Sequence, residues 1–219
     1  MKSTSLVVWD LDGTLVDSMP SAIEAFNDAI EPFLGKRLPT EELLSYFGSA
    51  EPIILERIIG KQNLAKSYEI FKESTIKRLD KSKVFDGITE ALNQISKKDA
   101  HQAIFTGRGR EGTEIILKHN NLRDHFKLIV TANEVENPKP DPEGLHLLTD
   151  RFRIAPRKTA MIGDSLFDIQ AGKKARVVTV ACLWSSEKSI KRSDFEALRP
   201  DFIAEHPSEV LAFLEKKIF

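Results

Sequence analysis

The sequence predicts an α/β fold, a mainly parallel sheet flanked by helices that carries a small all-helical insertion, and two patterns predict it. Short apolar runs at 103–106, 128–130, 159–162 and 177–180 alternate with helix-period segments, as βαβ units do. Before that alternation, from about Met19 to Ser82, the chain reads as helix with no strand. At 219 residues with 41% hydrophobic content, the chain is long enough for one large domain or two smaller ones with a proper core.

The first element is the apolar run Leu6-Val7-Val8-Trp9, a buried strand that ends in Asp10-Leu11-Asp12-Gly13-Thr14. A pleated strand puts alternate side chains on one face, so Asp10 and Asp12 face one pocket if the chain stays extended through Leu11. Two carboxylates that close raise each other's proton affinity unless a cation compensates. The pair therefore reads as a metal site or an acid/base couple, although a strand running into a capped turn uses the same residue types. Gly13 permits a turn with positive φ. Asp17 or Ser18 is suited to accept from the first free N–H groups of a following helix. Trp9 reads as core.

In the insertion, Ala22, Ile23, Phe26 and Ile30 recur at helical spacing. Pro39-Thr40 followed by Glu41 and Glu42 marks a second helix start, with early acids that suit its N-terminal dipole. Ile53, Ile54, Ile58 and Ile59 predict a buried face, and 64–79 a longer amphipathic helix.

The alternating part follows. Ala103-Ile104-Phe105-Thr106 ends in Gly107 and leads to a helix through Ile115, Ile116 and Leu117. Strands at Leu128-Ile129-Val130, Thr159-Ala160-Met161-Ile162 and Val177-Val178-Thr179-Val180 are separated by helices around 143–152 and 166–175. Ligands of such sheets bind beyond the carboxyl ends of the strands. The residues found there are Asp10 and Asp12, then Thr106-Gly107-Arg108, then Lys139 between two prolines, then Gly163-Asp164-Ser165 and Asp168.

Composition narrows the setting. A formal charge of −1, from 32 basic and 33 acidic residues, provides no global field for nucleic acid or anionic lipid. No apolar run approaches the roughly 18 residues of a membrane span. The N-terminal apolar segment is interrupted by Asp10 too early for a signal peptide. Cys182 is the one cysteine and sits in an apolar segment, which fits buried packing in a reducing compartment, so a cytoplasmic location is expected. His101, His119, His125, His146 and His206 show no metal-ligand spacing.

The ordered set of D-x-D-G-T, a Thr, a Lys and G-D-x-x-x-D resembles the haloacid dehalogenase superfamily, over essentially the whole chain. The insertion is similar to the cap of its phosphoglycolate phosphatase and β-phosphoglucomutase branch. The resemblance implies a Rossmann-like core at 1–17 and 83–219 and a helical cap at 18–82. It implies a Mg²⁺-dependent phosphatase for a small phosphorylated metabolite, with neither nucleic acid nor membrane as partner; the oligomeric state stays open. Asp10 would be the nucleophile that becomes an aspartyl phosphate. Asp12 would be general acid for the leaving alcohol, then general base for water. Mg²⁺ would be held by Asp10, Asp164 and the backbone carbonyl of Asp12, with Asp168 reaching the ion directly or through water. Thr106 and the N–H of Gly107 would bind a phosphoryl oxygen, and Lys139 would offset charge on the phosphoryl group and on Asp10. In the cap, Gly48, Ser49 and Glu51 are the specificity candidates.

Asp12 distinguishes this chain from dehalogenases and phosphonate hydrolases, which lack the second carboxylate. The hexose-phosphate mutases carry a His twelve residues after the nucleophile, where this chain has Ala22. A phosphomutase or phosphotransferase on a sugar phosphate, and a non-catalytic binding protein on the same fold, are the alternatives. Two departures stand out: Gly107-Arg108 replaces the usual Asn and Lys, and Ala175-Arg176 replaces Ala-Gly at a helix end. A left-handed Arg176 would cost about 1 kcal/mol relative to glycine. Arg108 has no assigned role, and Arg110 reads as a solvated charge.

Overall fold

A computed structural model describes residues 4–185 and 190–219. In chain order the elements are β1 (Ser5–Trp9), β2 (Val16–Asp17), α1 (Met19–Leu34), α2 (Thr40–Leu44), α3 (Glu51–Ile59), α4 (Leu64–Lys77), β3 (Lys83–Val84), α5 (Ile88–Ser96) and β4 (Ala100–Phe105). There follow α6 (Arg110–His119), β5 (Leu128–Val130), α7 (Glu143–Phe152), β6 (Thr159–Gly163), α8 (Leu166–Ala175), β7 (Val178–Cys182), α9 (Arg192–Leu198), β8 (Phe202–Ala204) and α10 (Pro207–Lys217).

Six strands form one parallel sheet in the order β5-β4-β1-β6-β7-β8. Trp9 at the end of β1 stands opposite Ile104 on one side and Ile162 on the other. The chain winds from β1 outward through β4 and β5, then returns to β6 and winds the other way. The strand order thus reverses at β1, and such a reversal opens a crevice at the carboxyl ends of the strands.

Both faces of the sheet are covered, which is why the strands read as continuous apolar runs. Val7, Trp9, Ile104 and Ile162 pack with Ile88 and Leu92 of α5 and Val210 and Leu214 of α10. Leu6, Val8, Ala103 and Phe105 pack on the other face with Leu145 and Leu148 of α7 and Ala171 of α8. Trp9 is fully buried, and its indole N–H donates to Gln102 Oε1 at 3.3 Å.

Helices α1 to α4 share a separate core built on Phe26, Ile30, Leu43, Leu55 and Phe71. In α3 the buried positions are Glu51, Ile54, Leu55 and Ile59, a spacing of three and four. The expected burial of Ile53 is corrected: that side chain is 45% exposed, because the helix phase puts Leu55 inward instead.

Residues 19–82 carry no strand, as expected, but β2 and β3, which the sequence did not reveal, pair antiparallel just outside that segment, where the chain leaves for the helices and returns. Each strand is two residues long, too short for a period to register. Ser18 occupies the N-cap of α1 without capping it through its side chain; its hydroxyl donates to Asp12 instead. Arg176, by contrast, takes the left-handed conformation at the end of α8, with φ of 57°. Among the described residues no helix is long and apolar enough to cross a membrane.

Candidate active site

Asp10 follows directly on β1, and its N–H extends the ladder to Ile162 O at 2.9 Å. Its carboxylate faces Lys139, whose Nζ lies 2.9 Å from Asp10 Oδ1 and 2.6 Å from Asp168 Oδ1. The ammonium also donates to Phe105 O at 3.2 Å, so it is held by the end of β4 as well as by two acids. Lys139 sits between Pro138 and a cis-linked Pro140 and is buried, unlike a loop lysine in solvent.

Asp164 and Asp168 enter from the end of β6 and the start of α8. Asp168 is fully buried, and its Oδ2 accepts from the N–H and hydroxyl of Ser165 at 3.0 and 2.6 Å. This capping box leaves Oδ1 for Lys139. Thr14 Oγ1 donates to Asp164 Oδ1 at 2.9 Å. Gly13, with φ of 80°, lets the loop after β1 pass close: a Cβ there would lie 2.0 Å from Asp164 Oδ2.

Oxygen atoms of Asp10, Asp164 and Asp168 all lie within 4.8 Å of one another. Burial, and then the neighbouring Asp168, pushes the Asp164 carboxyl up to about 7. Burial likewise raises Asp10 well above the ordinary carboxylate value, against the pull of Lys139. Three acids, Asp10 and Asp168 buried and Asp164 partly so, with Lys139 paired to the first two are under-compensated, and hard carboxylate oxygens at this spacing suit a divalent ion such as Mg²⁺.

Asp12 has a different environment. The Arg108 guanidinium grips its carboxylate, with Nε 2.9 Å from Oδ2 and Nη2 2.8 Å from Oδ1, and the Ser18 hydroxyl adds a third donor. Burial alone would raise the Asp12 carboxyl, but the ion pair and hydrogen bonds outweigh it and hold it below the usual value. The side chain of Asp12 therefore stands outside the acid cluster, which leaves its backbone carbonyl as the ligand atom the resemblance implies.

Thr106 is buried at the end of β4, and its Oγ1 accepts from the N–H of Arg108 at 3.2 Å. The helical insertion closes over this loop. Glu51, at the start of α3, accepts from the N–H of Gly109 at 2.8 Å and stands 3.6 Å from Arg108. Gly48 packs on Gly107. Between the two layers lies a cavity of about 260 Å³, whose lining includes Asp10, Asp12, Thr106, Lys139, Asp164 and Ser49.

Residues 7–182 match the family described as haloacid dehalogenase-like hydrolase. The chain belongs to that family. This haloacid dehalogenase-like hydrolase is 29% identical to Pyrophosphatase PpaX of Listeria innocua over 97% of both chains. To Pyrophosphatase PpaX of Bacillus mycoides it is 26% identical, over 96% of each. Its fold is shared with a crystal structure described as a predicted phosphoglycolate phosphatase from Haemophilus somnus, at a TM-score of 0.85, 20% identity and coverage of 97% and 99%. A hydrolase from Pseudomonas syringae superimposes at a TM-score of 0.81, with 21% identity and coverage of 97% and 98%.

In this haloacid dehalogenase-like hydrolase the crevice gathers all the sequence candidates: Asp10, Asp12, Thr106, Gly107, Lys139 and Asp164 line the cavity, as do Gly48, Ser49 and Glu51 from the insertion. Asp168 lies behind them, in contact with Lys139. Arg108 is the functional side chain that sequence reasoning left without a role. Its signal was the departure itself, a guanidinium where the resemblance implies Asn and Lys after the strand-end Thr. Thr14 and Ser18 were also missed in their roles, as donors to Asp164 and Asp12. Arg110 is partly exposed and pairs with Glu134 at 2.9 Å, away from the cavity. None of the histidines belongs to the acid cluster. Cys182 is buried and free, its thiol pushed up by burial.

Proposed function

We propose that this hydrolase is a Mg²⁺-dependent phosphatase for a small phosphomonoester, working in the cytoplasm through an aspartyl phosphate on Asp10. The observation that carries the reading is the gathering of Asp10, Asp164 and Asp168 into one cluster, with Lys139 bridging Asp10 and Asp168 beside Thr106, at the point where the strand order reverses. The names of the PpaX relatives, pyrophosphatases, support phosphorus as the centre attacked. Asp10 and Asp164, with the carbonyl of Asp12 and with Asp168 directly or through water, would hold Mg²⁺, which would offset the repulsion between an anionic nucleophile and an anionic ester.

The chain's own residues supply position and proton transfer. A carboxylate oxygen of Asp10 attacks phosphorus, the bond from phosphorus to the leaving oxygen breaks, and Asp12 delivers its proton to that oxygen. Water then attacks the aspartyl phosphate, gives its proton to Asp12, and releases phosphate with Asp10 restored. Thr106 and the N–H of Gly107 bind the phosphoryl oxygens, while Lys139, 2.9 Å from Asp10, aims the nucleophile and favours its ionised form against burial. Arg108 and Ser18 orient Asp12 and lower its carboxyl, which favours the ionised form that the second step requires of the base, while the first step draws on its protonated form. Ala22 lines the cavity and brings no proton carrier there, which favours water over a sugar hydroxyl as acceptor.

Purified protein should hydrolyse 4-nitrophenyl phosphate with Mg²⁺ and lose that activity in EDTA. Asp10→Asn should lose turnover by at least about 10³-fold, in line with removal of a covalent nucleophile. Wild-type turnover in that variant would refute the assignment.

A further inference from the structure

The cavity is unevenly built. Its floor, the strand ends, carries the acids and Lys139, while the helical layer above contributes Met19, Ala22, Phe26, Leu44, Phe47 and Ile54. Phe167 and Ile190 extend the apolar wall. Among the described residues, Arg108 and Lys139 are the cations lining it, and both are engaged. Lys139 is bound by Asp10 and Asp168, and Arg108 is bound by Asp12 with Glu51 beyond it. The one ionisable side chain that the helical layer presents to the cavity is an acid, Glu51. Its Oε2 accepts from Gly109, whereas Oε1 is buried with no hydrogen-bond partner.

These features decide what kind of leaving group fits. A second anionic group, such as the distal phosphate of pyrophosphate or a carboxylate, would leave water for an apolar wall and a carboxylate, with no uncommitted cation among the described residues to meet it. An uncharged apolar body would bury against Phe26, Phe47 and Ile54, and a hydroxyl on it would give Glu51 Oε1 the donor it lacks. Building on the phosphatase reading, we propose that the enzyme selects phosphomonoesters of uncharged, largely apolar alcohols, with Glu51 accepting a hydrogen bond from a donor on that alcohol. The leaving-group chemistry thus differs from that named for the pyrophosphatase relatives.

The test uses three esters of one shape: benzyl phosphate, 4-(hydroxymethyl)benzyl phosphate and 4-carboxybenzyl phosphate, with pyrophosphate as a fourth substrate. All are assayed with Mg²⁺ for kcat/KM, and for thermal stabilisation of the Asp10→Asn variant, which reports binding without turnover. The hydroxymethyl ester should lead, and the carboxy ester should fall at least about tenfold below benzyl phosphate, because its charge is desolvated unpaired. Glu51→Gln should narrow that gap, since an amide also donates to a carboxylate; Glu51→Leu should bring the ratio of kcat/KM for the hydroxymethyl ester to that for benzyl phosphate down to about one, whatever its effect on the two rates together. A preference for the carboxy ester or for pyrophosphate overturns this proposal and leaves the phosphatase reading standing. If no substrate turns over, the phosphatase reading falls, and the ranking of stabilisation on Asp10→Asn decides the chemistry of the cavity; equal or absent shifts overturn the proposal.

Discussion

Lys139→Met removes the cation on which the buried acids depend while keeping a side chain of similar length over the Phe105 ring, 5.4 Å from the ammonium. Two ion pairs, at 2.9 and 2.6 Å, disappear together, and neither Asp10 nor Asp168 has solvent to turn to. Breaking a buried pair by removing one partner costs about 3–5 kcal/mol, because the other charge is left uncompensated. For a domain of this size that corresponds to a fall in Tm of roughly 6–20 °C. The measurement is thermal and urea unfolding of both proteins in EDTA, repeated from pH 5 to pH 8. Without Lys139 the pull that opposes burial at Asp10 is gone, and Asp10 keeps its proton to higher pH in the native state than in the unfolded chain. Stability then falls as pH rises through that window, so the penalty should be larger at pH 8 than at pH 5. Added Mg²⁺ should restore part of the loss, about 2.7 kcal/mol at a hundred times its Kd. A loss below about 1 kcal/mol in EDTA at pH 8 would refute the view that Lys139 compensates the cluster.

Gly13→Ala places a methyl 2.0 Å from Asp164 Oδ2 at a φ of 80°, so Asp164 must move. Stability should drop by about 1–2 kcal/mol for the left-handed strain alone, and Mg²⁺ should stabilise the variant less than wild type in thermal unfolding. Arg108→Met frees Asp12 from the guanidinium that lowers its carboxyl, so that carboxyl should rise. The step that forms the aspartyl phosphate needs protonated Asp12, and the alkaline limb of kcat/KM against pH should therefore shift upward; an unshifted limb would contradict the acid role. Asp201 accepts from the N–H and hydroxyl of Thr179 at 3.0 and 2.9 Å; burial opposes its ionisation, but these bonds outweigh burial and lower its carboxyl. Its stabilisation is present above the unfolded carboxylate value near 4 and is lost as pH falls through the lower folded value. Asp201→Ala should cost about 1–2 kcal/mol at pH 7 in urea unfolding, and the gap should close below that range.

The strands were legible because a sheet covered on both faces demands unbroken apolar runs, and Leu6–Trp9, Ala103–Phe105 and Thr159–Ile162 supply them. Phe202–Ala204 and the paired β2 and β3 escaped, since strands of two or three residues show no period and are made by their partners. Helix phase in α3 was misread at Ile53 because four isoleucines fit more than one stripe, and only packing against α1 and α4 selects Leu55.

The sequence by itself determined which groups are available: acids, a hydroxyl and an amine at strand ends, where a parallel sheet presents its ligands. Only the tertiary structure decided how they pair. Asp10, Asp164 and Asp168 cluster, with Lys139 bridging Asp10 and Asp168, whereas Asp12 turns to Arg108 and Ser18. Pairing depends on distances between segments far apart in the chain, and those distances are fixed by the sheet order and by the closure of Glu51 and Gly48 over the loop at 106–109. Strand-end position follows from local pattern, but the identity of a charge's partner follows from packing, which no local spacing encodes.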